Sequence, residues 1–344
     1  MLGENGGGGG LKLKAAAAAG VLFSLAAMAC LVYATPSLDD FSLENPYWNG
    51  LSWLRDLGVV EASHGYEALT EPGLNPMGVV VLIIGPDKPY SLEEASTLRA
   101  FMEKGGLLVL MDDFGSGNTL LQALGVEARF NGAVLRDPLF KDRDSRLAKA
   151  VEFKVSQYTR NLTALQLNHA TYIDVDGGFK GLAYTSPFSY VDLNGNGARD
   201  EGESYGPFPV VAEASYGLGG LILVSDSSLF INSMKSRESN LLFLQNLAEG
   251  RVILLDADHW EPSPLSEVKD ALRQALDSMR GVEVRIAFIA LAFYAAFKVK
   301  VKVKRKGFMG LRLEDEVLEV SRLHPEWDLE ALRRLKELRD RVEG

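Results

Sequence analysis

Val79-Val-Val-Leu-Ile-Ile84, closed by Gly85-Pro86, is the stretch that decides the fold class of this chain. Every residue in it is apolar and all but Leu82 are β-branched. Such a run has no polar face, so both sides of the strand must be covered, as in a parallel sheet between helices. Ser91 then offers a helix cap, with Glu93 and Glu94 in the first turn, where acids complement the helix dipole. Leu98, Phe101 and Met102 recur at helical spacing, and Gly105-Gly106 stops the helix. Leu107-Leu-Val-Leu-Met111 is a second continuous apolar run, and it ends at Asp112-Asp113. A short helix over 118–124 follows, ended by Gly125. The strand–helix–strand–helix order predicts a right-handed crossover and a parallel, flavodoxin-like sheet in which the two strands are neighbours.

Working outward, Leu221 to Val224 reads as a strand running into Asp226-Ser-Ser, and Ser239 to Ala248 as a helix ending at Gly250. Val252 to Leu255 is a strand running into Asp256-Ala-Asp258-His259. Residues 126–215 are less regular and read as a β-rich insertion. The α/β domain as a whole spans 36–281.

The two ends differ in character from this domain. Ala15 to Ala34 carries no charge and is long enough to cross a hydrocarbon core. Lys12 and Lys14 precede it, and Asp39, Asp40 and Glu44 follow it. The positive-inside rule therefore places residues 1–14, with their Gly6–Gly10 tether, in the cytoplasm and residues 15–35 in the membrane. A cleaved signal peptide is the alternative, with small residues around Ala34. A second apolar stretch, Ile286 to Phe297, extends to 282–301 if Arg285 and Lys298 snorkel. The basic run from Lys298 to Lys306 then acts as a cytoplasmic stop. An interfacial helix is the alternative there. Two spans leave both termini cytoplasmic, the main domain extracytoplasmic and 302–344 as a cytoplasmic tail. In that tail Leu329, Leu332, Leu335 and Leu338 recur among charges, which suits either a solvated helical hairpin or a docking handle for a protein partner.

Composition narrows the function classes. The formal net charge of -10, without a basic stripe on the domain, argues against nucleic acid as a partner. The single cysteine, Cys30, lies inside the first apolar segment. An intrachain disulfide, a CxxC zinc site and a soluble cysteine nucleophile are all excluded.

The runs from Val81 to Asp87, Ser91 to Glu94 and Phe101 to Asp113, with Gly217 to Asp226 and Asn45-Pro-Tyr-Trp-Asn-Gly50, resemble domain of unknown function 4350. The resemblance covers roughly residues 41–260. It implies a fold similar to class I glutamine amidotransferases, a membrane anchor, and a genetic association with MoxR-type ATPases as a cytoplasmic partner through the tail. The amidotransferase cysteine that should follow a strand-to-helix turn is missing, because Leu107–Met111 leads to Asp112 and Asp113 instead. No Gly-x-Ser-x-Gly elbow occurs either.

Asp112, Asp113, Asp226, Asp256, Asp258 and His259 all fall at carboxyl ends of expected strands. In doubly wound sheets that edge binds ligands. The same acids can instead cap the helices that follow. His259 is the best single candidate for chemistry, although beside Trp260 it can equally be packed. His64, His169 and His324 have polar contexts with no further signal.

The clearest motif is Asp192-Leu-Asn194-Gly-Asn196-Gly197-Ala198-Arg-Asp200-Glu-Gly-Glu203, which fills D-x-[DN]-x-[DN]-G-x5-E. Asp192, Asn194 and Asn196 would offer side-chain oxygens and Ala198 its carbonyl. Asp200 would bind directly or through water, and Glu203 with two oxygens, which together suit Ca²⁺. Its extended flanks make it an EF-like loop between strands; a polar surface turn is the alternative. Asn161-Leu-Thr163 is a glycosylation sequon consistent with an outside location. The expectation from sequence is a membrane-anchored, non-catalytic binding or scaffold protein with a calcium-stabilised outer domain. The alternative is a hydrolase built on the edge aspartates and His259.

Overall fold

The computed structural model describes residues 7–62, 66–279 and 317–342. The chain divides into two compact units, residues 1–269 and 270–344. The second apolar stretch at 282–301, the basic run from Lys298 to Lys306 and His64 lie outside the described residues.

The first unit opens with α1 (Gly7–Ala34). Its window Ala17–Ala34 is long and apolar enough to cross a membrane, and no part of that window is buried. Length and composition fit either an anchor or a signal sequence. The chain then forms α2 (Ser52–Asp56), β1 (Val60–Ala62), β2 (Val79–Ile84), α3 (Leu92–Glu103), β3 (Leu107–Met111) and α4 (Gly117–Leu124). Eight strands follow: β4 (Arg129–Phe130), β5 (Val134–Arg136), β6 (Lys149–Phe153), β7 (Leu165–Gln166), β8 (Ile173–Asp174), β9 (Lys180–Thr185), β10 (Tyr190–Asp192) and β11 (Pro209–Tyr216). Then come β12 (Gly219–Val224), α5 (Asn240–Ala248), β13 (Val252–Asp256) and α6 (Pro264–Met279).

Nine of these strands form one mixed sheet, in the order β1-β13-β2-β3-β12-β11-β9-β6-β7. The first five are parallel, with β2 and β3 adjacent in the register Val81↔Leu108. The remaining four run antiparallel to their neighbours. The sheet is thus mixed rather than parallel throughout. Residues 126–215 are β-rich, and β6, β7, β9 and β11 widen the same sheet. Among the described residues, β5–β10 and β4–β8 form small pairs of their own. Counting the five parallel strands alone, their order is first-fifth-second-third-fourth, which differs from the 2-1-3-4-5 order of flavodoxin-like sheets.

Alternation along β2 and β3 builds two cores. Val80, Leu82, Ile84, Val109 and Met111 join one cluster with Phe243, Leu244 and Leu247 of α5. Val79, Val81, Ile83, Leu108 and Leu110 join the other with Leu98, Phe101 and Met102 of α3 and Leu120, Leu121 and Leu124 of α4. Both faces of β2 and β3 are buried, which is why neither run contains a polar residue. A full capping box starts α3: Ser91 Oγ accepts from Glu94 N, and Glu94 accepts from Ser91 N. At the start of β12, Gly219 passes so close to Gly106 that a Cβ there would sit 2.0 Å from the Gly106 carbonyl oxygen.

In the second unit, α7 (Leu329–Val342) carries Leu332 and Leu335 beside Val317 and Val320 of a short helical stretch at 317–323. Leu335 and Leu338 remain exposed.

Candidate functional site

The carboxyl edge of the parallel strands gathers the six expected residues into two separate groups. The first lies at the end of β13. Asp256 is buried and accepts hydrogen bonds from Tyr66 Oη at 2.8 Å and Tyr90 Oη at 2.7 Å. Its carboxylate also pairs with His259 Nδ1 at 2.9 Å. The other ring nitrogen, Nε2, faces Glu94 Oε1 at 3.3 Å. The imidazole stacks on Tyr90, ring centres 3.8 Å apart, and is only 5% exposed. Burial alone would lower the His259 pKa, but the Asp256 hydrogen bond and the Asp256 and Glu94 charges raise it. Burial would likewise raise Asp256, yet His259 and the two tyrosines hold it below its ordinary value. Burial and the Asp256 charge keep both tyrosines protonated, well above their usual range.

This cluster ties loops together rather than opening to solvent. Asp87 N and Lys88 N both donate to the His259 carbonyl, and Lys88 Nζ donates to the Asp258 carbonyl. Trp260 Nε1 donates to the Ile84 carbonyl. Asp258 contributes its main chain here, donating its N–H to Asp256. Tyr66, Tyr90 and Glu94, which complete the group, carry no spacing signal in the sequence; they converge only through the fold.

The second group lies at the ends of β3 and β12. Asp112 Oδ1 accepts from Gly115 N at 2.8 Å and Oδ2 from Gly117 N at 2.7 Å, so it caps the entry to α4. Burial outweighs those bonds and lifts its pKa to about 6. Asp226 is wholly buried and accepts from Asn168 N and Ser228 N. Burial, then the Asp113 charge, push it up to about 8. Asp113 is raised mainly by burial and accepts from Ser227 Oγ at 3.1 Å.

Between β3 and β12 the chain leaves the sheet in opposite directions. The connection after β3 enters α4, on one face, and that after β12 enters α5, on the other. Adjacent parallel strands whose connections diverge open a crevice at their carboxyl ends. A cavity of about 520 Å³ sits there, lined by Asp113, Phe114, Ser228 and Ile231 together with Trp48, Asn49, Asn168 and His169. Sequence reasoning placed Asp113 at this edge. It missed Trp48, although the Asn45–Gly50 run had already drawn notice, and passed over His169.

The loop from Asp192 to Glu203 is tightly self-bonded. Asp192 Oδ1 accepts from Gly195 N, and Oδ2 from Gly197 N at 3.0 Å. Glu203 closes the loop by accepting from Leu193 N and Asp200 N. Asn194 and Asn196 both donate to Asp200 Oδ2 at 2.6 Å. Arg136 Nε pairs with Asp192 at 2.5 Å and lowers its pKa against the effect of burial. The side chains therefore meet in two places, Asp200 with the asparagines and Asp192 with Arg136. Among the described residues no group of three or more His, Cys, Asp or Glu side chains is arranged to hold a metal.

A family model described as "Domain of unknown function (DUF4350)" matches residues 44–248, more than half of the chain. No curated protein matches the sequence. Among solved structures, the mmIFT52 N-terminal domain is similar at 17% identity, covering 50% of this chain and 78% of that one, with a TM-score of 0.38. A β-galactosidase from Bacillus circulans sp. alkalophilus is similar at 14% identity, covering 50% of this chain but 22% of that one, at 0.31. Cytoplasmic protein STM1381 from Salmonella typhimurium LT2 is similar at 16% identity, covering 45% and 59%, at 0.30. Likeness at these values carries no functional inference.

Proposed function

We propose that this chain, which belongs to the DUF4350 family, is a membrane-anchored, non-catalytic binding protein. Its α/β domain lies outside the cytoplasm and both termini lie inside. One observation carries the reading: four of the edge residues a hydrolase would draw on, Asp112, Asp226, Asp256 and His259, are already committed to the fold. Asp112 caps α4, Asp226 anchors two backbone N–H groups, and both His259 nitrogens face carboxylates in a sealed cluster. A general base must reach its substrate, and a ring 5% exposed does not.

The anchor is supported by α1. An 18-residue apolar window with no buried residue needs lipid around it or removal by processing. The amidotransferase-like description is supported only by the parallel half of the sheet. The calcium proposal rests on a complete ligand pattern, on turn glycines 195 and 197 at positive φ, and on two buried terminal carboxylates. In that proposal Arg136 gives up Asp192 when the ion arrives. The tail, with Leu335 and Leu338 exposed, is proposed to meet a cytoplasmic protein, a MoxR-type ATPase by family association.

The test is protease protection. Protease added to intact cells should digest the main domain and leave a tag at the C-terminus uncut. Cleavage of that tag under the same conditions would refute the topology. Capture of the tail's partner should survive His259→Ala, since the histidine is assigned to stability.

A further inference from the structure

The crevice between β3 and β12 is equipped for a particular chemical class. One wall is Trp48, at 67% exposure. This indole is displayed by a fixed loop. Asn45, wholly buried, donates to the Asp39 carbonyl at 2.8 Å and accepts from Tyr47 N at 2.8 Å. Asn232 Nδ2 and Ser233 N hold the loop from the other side, bonding the Tyr47 and Trp48 carbonyls. Gly50 lies against Asn45 so closely that a Cβ would come within 2.0 Å of its carbonyl oxygen. A large apolar side chain held out in water by a rigid loop costs solvation and gains nothing inside the domain. Phe114, 52% exposed, lines the same cavity, and contiguous exposed apolar surface of this kind marks binding sites.

The crevice also concentrates backbone strain. Phe41 and His169, both lining it, have φ of 60° and 59°. Non-glycine residues adopt that conformation only at a cost, and they cluster at ligand sites. Asn168 and His169 present side chains that make no hydrogen bond to other described residues, although both line the cavity.

The polar groups are mixed, and that decides among ligands. Asp113 and Asp40 are acceptors and repel anions. The Asn168 amide and the His169 imidazole add donors, which a cation could not satisfy. A wholly apolar ligand would leave the Asn168 and His169 side chains unpaired. A ring of neutral hydroxyls donates and accepts at once, and its C–H face suits an indole. The volume of about 520 Å³ falls within the about 300–1,000 Å³ of small-molecule sites.

We propose that this crevice binds a neutral saccharide unit, stacked on Trp48 and hydrogen-bonded to Asp113, Asn168 and His169. The proposal deepens the binding reading above and rests on it. The experiment is titration calorimetry of the full chain in a polyoxyethylene detergent, which carries no sugar headgroup. The probes are maltose, cellobiose and lactose, with sialyllactose as an anionic contrast, choline as a cationic one, and lipid vesicles as a third. At least one neutral disaccharide should bind. Trp48→Ala should weaken it about tenfold, the loss of one stacking contact. Asn168→Ala should weaken it too, while Trp327→Ala in the tail should not. Because Trp48 is exposed, its variant should melt as the native chain does. The proposal is overturned if no neutral disaccharide binds, if Trp48→Ala leaves affinity unchanged, or if choline, sialyllactose or vesicles bind in preference. Binding followed by cleavage of the sugar would support this site and sink the non-catalytic reading, so the two failures are separable.

Discussion

Asp226 lies at the end of β12 with both carboxylate oxygens on backbone N–H groups and no exposure to water. Its pKa of about 8, with Asp112 at about 6, means that the native state holds protons the unfolded chain has released above about pH 4. Stability from these groups is therefore full in mild acid and falls as pH rises towards 8. The raised His259 acts in the same sense, since its charge is lost as pH rises through its folded value. Asp256 acts oppositely, but its lowered pKa confines the effect to stronger acid. His169, lowered by partial burial and then by Arg146, opposes the trend weakly. The melting temperature should fall between about pH 5 and pH 8. Asp226→Asn should flatten that slope while losing about 1 kcal/mol at pH 5, because the amide can accept only one of the two N–H groups. A melting temperature that climbs over this interval would refute the assignment. In the neighbouring cluster, His259→Ala leaves Asp256 buried without its counter-charge. Chemical denaturation should show a loss of about 3–5 kcal/mol. A variant as stable as the parent would mean that the imidazole does not hold these loops.

The calcium site proposed for the loop between β10 and β11 would set Arg136 against the ion for Asp192. Calorimetry should show Ca²⁺ binding in preference to Mg²⁺, since a flexible oxygen-rich loop suits the larger ion. Glu203→Gln should weaken it, and Arg136→Ala should strengthen it by releasing Asp192. No heat at millimolar Ca²⁺, and a melting curve unmoved by chelator, would leave the loop a turn. At this scale sequence and fold agree unevenly. β2 and β3 were legible because strands covered on both faces have no polar residue to break the run. β6 was not: Lys149, Glu152 and Phe153 are interspersed along a half-covered strand. β4, β7 and β8 are two residues each, too short for any period. The edge acids were legible as strand ends. Their division into a helix cap, a sealed cluster and an open crevice was not, because it depends on which face each connection takes. Trp48 and His169 come from segments about 65 and 55 residues from Asp113 in the chain, and no local pattern links such positions.

Across the whole sheet, protection should follow depth. β2, β3 and β12 are central, and their runs are buried on both faces. Amide exchange there should require global opening, while β1 and β7, short strands at the two edges, should exchange by local fraying. Faster exchange in β3 than in β7 would contradict this order. The brevity of β1 and β7 also limits the unpaired backbone offered to another sheet. One further feature is the short stretch joining α1 to the crevice. Asp40, in the crevice lining, follows the last residue of α1, Ala34, by six positions. Six extended residues reach at most about 20 Å. If α1 is the anchor proposed above, the mouth of the crevice is leashed to the headgroup layer and sweeps only a thin shell above it. Encounters there become a search over a surface rather than through a volume. A weak intrinsic affinity then suffices for ligands that are themselves displayed at that height.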